Sequence, residues 1–321
     1  MRSEPLVTCA FSSYNAENTI KYALSSAFNQ TYKNKEFLIV DDFSKDQTLS
    51  VIKDINLKNN NIIRIFRNEK NLGIGEVRNQ LIKYSNGEFI AFFDDDDYSY
   101  PDRIKKQISL ILEYEERNNI PFSISPMCYA NRKIIYSSKK ELVCKSINYD
   151  VTYLSNIDGV LALLSAKKMN KLAVPGSTAT CTLCARKVSL EKIGPFNRDL
   201  RRYEDLDLAI RALFSNISLI SVSENLLNQY FKIANYKKDA QSYELKLIKN
   251  YKTFLEDHGI YNFSYNYALM KHSFFDYKFI LFFKYLFYLL IKYPINFLEK
   301  IKGSFKTIFF SILNKIFSSI K

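Results

Sequence analysis

The sequence predicts an α/β protein: a doubly wound, mostly parallel sheet flanked by helices, followed by a helical C-terminal extension. Three observations carry this reading. Over residues 5–118, short β-branched or aromatic runs alternate with amphipathic stretches. The strand-like runs are apolar throughout, as strands covered on both faces are. After residue 231 the composition turns lysine-rich and aromatic, and arginine disappears.

The elements follow in order. PLVTCAF (5–11), EFLIV (36–40), IIRIF (62–66) and EFIAFF (88–93) read as buried strands. Ile20, Leu24 and Phe28 recur at a spacing of four, and Leu49, Ile52 and Ile55 at three. Each set places one helical face on the sheet. Ser44 and Gln47 offer a capping box to the second helix, and Pro101 suits the first turn of a helix carrying Ile104, Ile108 and Ile111. Strands alternating with helices imply parallel pairing through right-handed crossovers. The stretch 120–223 is less regular: a Gly-Ser-Thr loop (PGSTAT) precedes ARKVSLEKIGPFNRDLRRYEDLDLAIRA, helical from Glu204 onward. The expected organisation is 1–119 as the first half of an α/β domain, 120–231 as its second half, and 232–321 as a basic helical region.

Bulk properties narrow the function. A chain of 321 residues suits about two domains at ~150 residues each. Its net charge of +13 calls for an anionic partner: nucleic acid, a membrane surface or a phosphorylated ligand. The five cysteines are odd in number and scattered, which fits a reduced protein without disulfides. Cys181 and Cys184 form a lone CxxC and read as small core residues. The N-terminus has Glu4 and Pro5 before a short apolar run, so no export signal is expected there. Both histidines, His258 and His272, lie in the C-terminal region, so any catalytic base is a carboxylate.

That C-terminal region carries fifteen lysines against six acidic residues. The apolar run 278–298 is interrupted by Lys284, Lys292 and Pro294, a poor bilayer span. Phe305, Ile308, Phe309, Ile312, Ile316 and Ile320 then share one helical face, with Lys302, Lys306, Lys315 and Lys321 outside it. This pattern suits a helix lying in an anionic membrane interface, the alternative being a helix packed on the main domain or in an oligomer.

In parallel sheets ligands bind at the carboxyl ends of the strands. Here those ends are FSSYN, Asp41-Asp42, the stretch Arg67 to Asn71, and the run Asp94-Asp95-Asp96-Asp97. Four adjacent carboxylates repel one another unless a cation sits among them. If the run stays extended, Asp94 and Asp96 face one side and Asp95 and Asp97 the other, and two such carboxylates cradle Mg2+ or Mn2+ whose shell a diphosphate completes. Asp42 only accepts hydrogen bonds and so suits a base N–H or a ribose hydroxyl. Tyr14 can stack on a base, and Arg78 can supply charge near a diphosphate. NLGIGEV lacks the third glycine of a dinucleotide fingerprint. YEDLDLA places Glu204, Asp205 and Asp207 at a helix N-terminus, where the dipole favours them.

LVTCAFSSYNAENTIKYALSSAFNQTYKNKEFLIVDDFSKDQT, NLGIGEVRNQLI and GEFIAFFDDDDYSYPDRI together resemble the nucleotide-sugar half of family 2 glycosyltransferases of GT-A fold, over about Pro5 to Ile108. The resemblance resumes at KIGPFNRDLRRYEDLDLAIRA, similar to the family's acceptor-side segment with its Glu-Asp pair. It implies inverting transfer from a nucleoside-diphosphate sugar, with uridine as the base. Asp42 matches the nucleoside-binding aspartate, and Asp94 to Asp96 match the DxD element, with Asp94 and Asp96 on the metal and Asp96 its main ligand. Asp205 matches the general base. Ser12, Tyr14, Asp42, Asn71, Arg78, Asp94 and Asp95 form the expected donor-binding set. Ser12 and Ser13 stand where the family often has a proline, and the chain has neither tryptophan nor the Gln-x-x-Arg-Trp signature of processive members.

The expected function is therefore a Mn2+- or Mg2+-dependent hexosyl- or N-acetylhexosaminyltransferase that adds single sugars to a glycan or lipid-linked acceptor of a bacterial surface polysaccharide. It is expected at the cytoplasmic face of the membrane, without a nucleic-acid partner. A sugar nucleotidyltransferase is the alternative enzyme class, disfavoured because FSSYNAEN is not a glycine-rich basic loop. A nonenzymatic nucleic-acid or membrane binder explains the charge but not its segregation into acidic strand ends and a basic tail.

Overall fold

The computed structural model describes residues 4–60, 62–136, 140–165, 173–174, 176–230 and 239–300. The elements run β1 (Val7–Ser13), α1 (Ile20–Phe28), β2 (Lys35–Asp41), α2 (Thr48–Lys58), β3 (Ile63–Arg67), α3 (Ile74–Tyr84), β4 (Phe89–Asp94), β5 (Tyr98–Ser99) and α4 (Arg103–Asn118). They continue with β6 (Met127–Ile135), β7 (Glu141–Cys144), α5 (Asn156–Ser165), β8 (Cys184–Arg186), α6 (Lys187–Ile193), α7 (Glu204–Phe214) and β9 (Leu219–Tyr230). The helices α8 (Ala240–Asn250), α9 (Lys252–Asp257), α10 (Tyr261–Phe275) and α11 (Phe279–Lys292) follow.

Contacts divide the described residues into two units, one drawn from Met1–Asn156 and Lys171–Lys238, the other from Ile157–Asn170 and Asp239–Lys321. The first holds a nine-stranded sheet in the order β3-β2-β1-β4-β8-β6-β9-β5, with β7 on β6. Pairing is parallel from β3 to β4 and mixed beyond, where β8 joins β4 and β6 antiparallel and β9 joins β6 parallel. All of β1 is buried, its apolar residues Val7, Cys9, Ala10 and Phe11 together with Thr8, Ser12 and Ser13, as suits a central strand covered on both faces. On one face, Cys9, Phe11, Ala91 and Phe93 pack with Ile20 and Leu24 of α1, Ile52 of α2, and Ile104, Ile108 and Ile111 of α4. These are the helical faces read from the sequence. α3 covers β1 and β2.

Two local expectations fail. Ser44 does not cap α2: its hydroxyl donates to the Asp41 carboxylate and accepts the Asn15 N–H, because the acid ending β2 is nearer and a stronger acceptor. Asp46 takes the Thr48 N–H instead, at 3.0 Å, and Gln47 makes no side-chain cap. Pro101 lies in the turn ahead of α4, whose N-cap is Asp102.

Arg103 of α4 is fully buried and ties this layer to the sheet. It donates to Ser99 Oγ and the Phe92 carbonyl, both at 2.8 Å, and lies over the Phe93 ring. Its neighbour Gln107 donates to the Cys128 and Thr182 carbonyls. A cation this deep is kept only when its donors are matched, and here they fix the strand that presents the aspartate run. All five cysteines are free, and four are buried.

In the second unit α10 and α11 pack through Phe263, Tyr267, Met270 and Leu289, with Phe297 beyond. No single described helix is long and apolar enough to cross a membrane. The amphipathic stripe expected from Phe305 to Ile320 lies outside the described residues.

Candidate active site

Parallel register brings the strand ends together. Ser12 is opposite Asp94, Ser13 opposite Asp41, and Asp41 opposite Arg67. Beyond these ends opens a hollow of about 570 Å3, lined by Ser12, Ser13, Tyr14, Asp42, Asn71, Gly73, Ile74, Val77, Arg78, Asp94, Asp95, Asp96 and Arg201. Every donor-binding and metal residue expected from the sequence is on that wall.

The aspartate run does not continue as a strand. β4 ends at Asp94 and a turn at Asp95-Asp96 follows, so the expected alternation is replaced. A turn brings its first and fourth residues together. Ligating atoms of Asp94, Asp97 and Cys181 accordingly lie within 4.8 Å of one another. Asp97 points inward, 3% exposed, with its carboxyl beside the Cys181 thiol. Burial, then the charges of Asp94 and Asp96, push its carboxyl well above the usual range. It lies behind the hollow, while Asp94, Asp95 and Asp96 face it. Asp95 also accepts the Tyr14 N–H at 2.8 Å, which joins the ends of β1 and β4 and leaves the half-exposed Tyr14 ring at the rim.

Asp42 does more structural work than its sequence position suggests. Its carboxylate accepts Asn68 Nδ2 and the Leu72 N–H at 2.8 Å and the Gly73 N–H at 2.9 Å. It thus clamps the loop leading into α3, where Gly73 has φ +86°, a left-handed conformation suited to glycine. Gly75 lets α3 approach the backbone of Asn197, whose carbonyl would lie 3.1 Å from an added Cβ. The glycines of NLGIGEV serve turn and packing, in keeping with their failure to match a dinucleotide motif.

Arg78 is buried between two carboxylates: Nη1 donates to Glu204 Oε1 at 2.6 Å, and Nη2 is 3.7 Å from Asp94 Oδ1. Burial opposes its charge, but Glu204, Asp94 and Asp205 outweigh this and raise its pKa. Burial raises Asp94 too, with Arg78 pulling it back and Asp96 adding to the rise. The three acids opening α7 have separate partners. Glu204 takes Arg78 and is pushed by burial up to about 7. Asp207 takes Arg211 at 2.8 Å. Asp205 accepts the Leu206 N–H at 2.7 Å at the helix N-terminus. Burial raises Asp205, while Arg78 and that N–H partly offset the rise. The arrangement is thus a row of carboxylates bridged by one buried guanidinium, with Asp205 within electrostatic reach of Arg78 and Asp94.

Two lining residues carry roles the sequence did not suggest. Arg201 is exposed, packs beside Gly73 and reaches Asn71 Oδ1 at 3.4 Å. Arg78 is committed to carboxylates, whereas Arg201 presents charge to the open hollow. Ser13, 2% exposed, keeps a buried hydroxyl without a hydrogen-bond partner.

The site is thus a carboxylate-lined edge of an α/β sheet, with a Glu-Asp pair opening α7. Residues 8–139 match the model of glycosyl transferase family 2. The chain is 38% identical over 130 residues to the UDP-Glc:alpha-D-GlcNAc-diphosphoundecaprenol beta-1,3-glucosyltransferase WfgD of Escherichia coli, covering 40% of this chain and 47% of WfgD. It thus spans about half of that relative's length. Residues 1–349 of TarS from S. aureus, solved with UDP-GlcNAc, superpose with a TM-score of 0.55 at 19% identity, covering 84% of this chain and 80% of that 1–349 chain. The mannosyltransferase PcManGT from Pyrobaculum calidifontis, solved with GDP-Man and Mn2+, gives 0.55 at 14% identity, covering 85% and 74%. At these identities the two structures establish the GT-A fold.

Proposed function

We propose that the protein is an inverting glycosyltransferase that moves a sugar from a UDP-sugar to a hydroxyl of a lipid-linked glycan in bacterial surface polysaccharide synthesis. The observation that carries this is one hollow lined by Tyr14, Asp42, Arg78, Asp94, Asp95 and Asp96, with Asp205 within electrostatic reach of Arg78 and Asp94. WfgD supports the donor and acceptor classes, because its name joins UDP-glucose to a diphosphoundecaprenol-linked sugar.

Each residue's part follows from its chemistry. The nucleoside lies against Tyr14 and Asp42. The diphosphate lies toward Asn71 and Arg201. Asp94 and Asp96 offer the hard oxygen ligands that Mn2+ or Mg2+ prefers, which fits the octahedral cations bound with diphosphates. Such an ion, when bound, offsets charge on the departing diphosphate. Arg78 positions Asp94 and holds Glu204. Asp205 takes the acceptor hydroxyl proton while that oxygen bonds to the anomeric carbon and the bond to the diphosphate breaks. Attack from the face opposite the leaving group inverts the anomeric centre.

The test is transfer from UDP-glucose, UDP-galactose and their N-acetyl forms to a lipid-diphosphate-GlcNAc acceptor, with the product's anomeric configuration read by NMR. An inverted product supports the reading. A retained configuration, or neither transfer nor donor hydrolysis with any UDP-sugar, overturns it.

A further inference from the structure

We propose that α11 is an in-plane anchor for an anionic lipid surface, seated on it by the outward stripe Ile280, Phe283, Phe287 and Ile291. The helix is apolar on both sides. Its inner stripe, Phe282, Tyr285, Leu286 and Leu289, packs with the core of α10. Its outer stripe recurs at the helical spacing and is open: Ile280 is 88% exposed, Phe283 49%, Phe287 58% and Ile291 76%. Ile295 and Leu298 extend the open apolar surface past the helix end. Contiguous apolar surface of this kind on a folded unit marks an interaction site.

The charges select the occupant. Between Asp276 and Glu299 there is no acidic residue, while Lys278, Lys284 and Lys292 lie at both ends and in the middle. Lys284 sits within the outer stripe and is exposed. Against a second copy of this helix, that lysine would be buried facing other lysines without a counter-charge, which is costly. At a lipid surface its methylene stem lies among the apolar groups while the ammonium reaches the phosphates, as do the lysines at the ends. Length excludes a span: fourteen residues rise about 21 Å, short of the ~30 Å hydrocarbon core. The chain also bends by 118° into the next helix at Pro294. An amphipathic anchor lying in the interface meets these constraints.

The test uses the full chain and sedimentation with vesicles of phosphatidylcholine, with and without phosphatidylglycerol. Binding is expected to the phosphatidylglycerol vesicles, to weaken with salt, and to fall at least about tenfold in Ile280→Glu/Ile291→Glu. Far-UV circular dichroism and thermal melting of the same samples report whether the variant is folded, and UDP binding measured alongside keeps this proposal separable from the transferase reading. Because the chain has no tryptophan, Phe287→Trp adds a single emitter that tests the contact without charge reversal. Its emission should shift to the blue with anionic vesicles and be quenched by lipids brominated high in the acyl chain. The proposal is overturned by three results: no wild-type binding, no emission shift, or a dimer that Ile280→Glu/Ile291→Glu dissociates.

Discussion

Asp205 stands apart from its neighbours because Glu204 and Asp207 each form an ion pair, with Arg78 and Arg211, while Asp205 forms none among the described residues. Replacing it by asparagine preserves shape and removes the ability to take a proton. The expected outcome for Asp205→Asn is a fall in kcat of ~10²- to 10⁴-fold with unchanged UDP affinity, read by steady-state kinetics and calorimetry. Near-normal turnover would remove Asp205 from the chemistry. Since burial raises its pKa, the base is lost to protonation above the ordinary aspartate range as pH falls. The acid limb of log(kcat/KM) is therefore expected above the ordinary aspartate range, and a limb within or below that range would contradict the assignment. Arg201 makes a parallel case on the donor side. Losing one charge-assisted contact to phosphate costs about 1.5–3 kcal/mol, so Arg201→Ala should weaken UDP binding by roughly 10- to 100-fold. Unchanged UDP affinity would place the diphosphate elsewhere.

At the scale of elements, Asp42 links the end of β2 to the start of α3, so its loss affects both stability and ligand binding. An asparagine in its place would keep one acceptor oxygen where the carboxylate now serves three donors. For Asp42→Asn the expected result is destabilisation of about 1–2 kcal/mol together with weaker UDP binding. Wild-type urea stability would show that the clamp contributes little. Such dual service explains what could be read from the chain alone. β1, β2 and β4 were legible because parallel central strands are largely apolar on both faces, β3 from its run of branched and aromatic residues, and Asp42, Tyr14 and Asp94 because they end or directly follow those strands. β6, β8 and β9 were not: β8 is only three residues, and β9 carries Ser221, Ser223, Glu224 and Asn225 within a bulged pairing whose partner lies far away in sequence. Arg201 escaped for a similar reason, since only tertiary packing brings it beside Gly73. The inward turn of Asp97 was hidden because four identical residues give no signal of where a strand stops.

For the whole molecule, charge and ligand binding are arranged with opposite signs: acids gather at the sheet edge, lysines in the C-terminal region. The acidic edge gives a sharp expectation for ligand linkage. Asp94 and Asp96 alone form an incomplete shell for a hard cation, and a nucleoside diphosphate alone brings negative charge toward carboxylates; each supplies what the other lacks. Calorimetric melting of the full chain should therefore show little shift with Mn2+ alone or with UDP plus chelator. With both present, UDP at a hundredfold above its Kd stabilises by about 2.7 kcal/mol, raising the transition of the sheet-containing unit by roughly 5–10 °C. Asp96→Ala should abolish that rise while melting near the wild-type temperature without ligand. An equal rise with Mn2+ alone would mean the protein completes the metal site unaided. An equal rise with UDP and chelator would mean that Arg201 and backbone donors neutralise the diphosphate and that the aspartate run has another purpose.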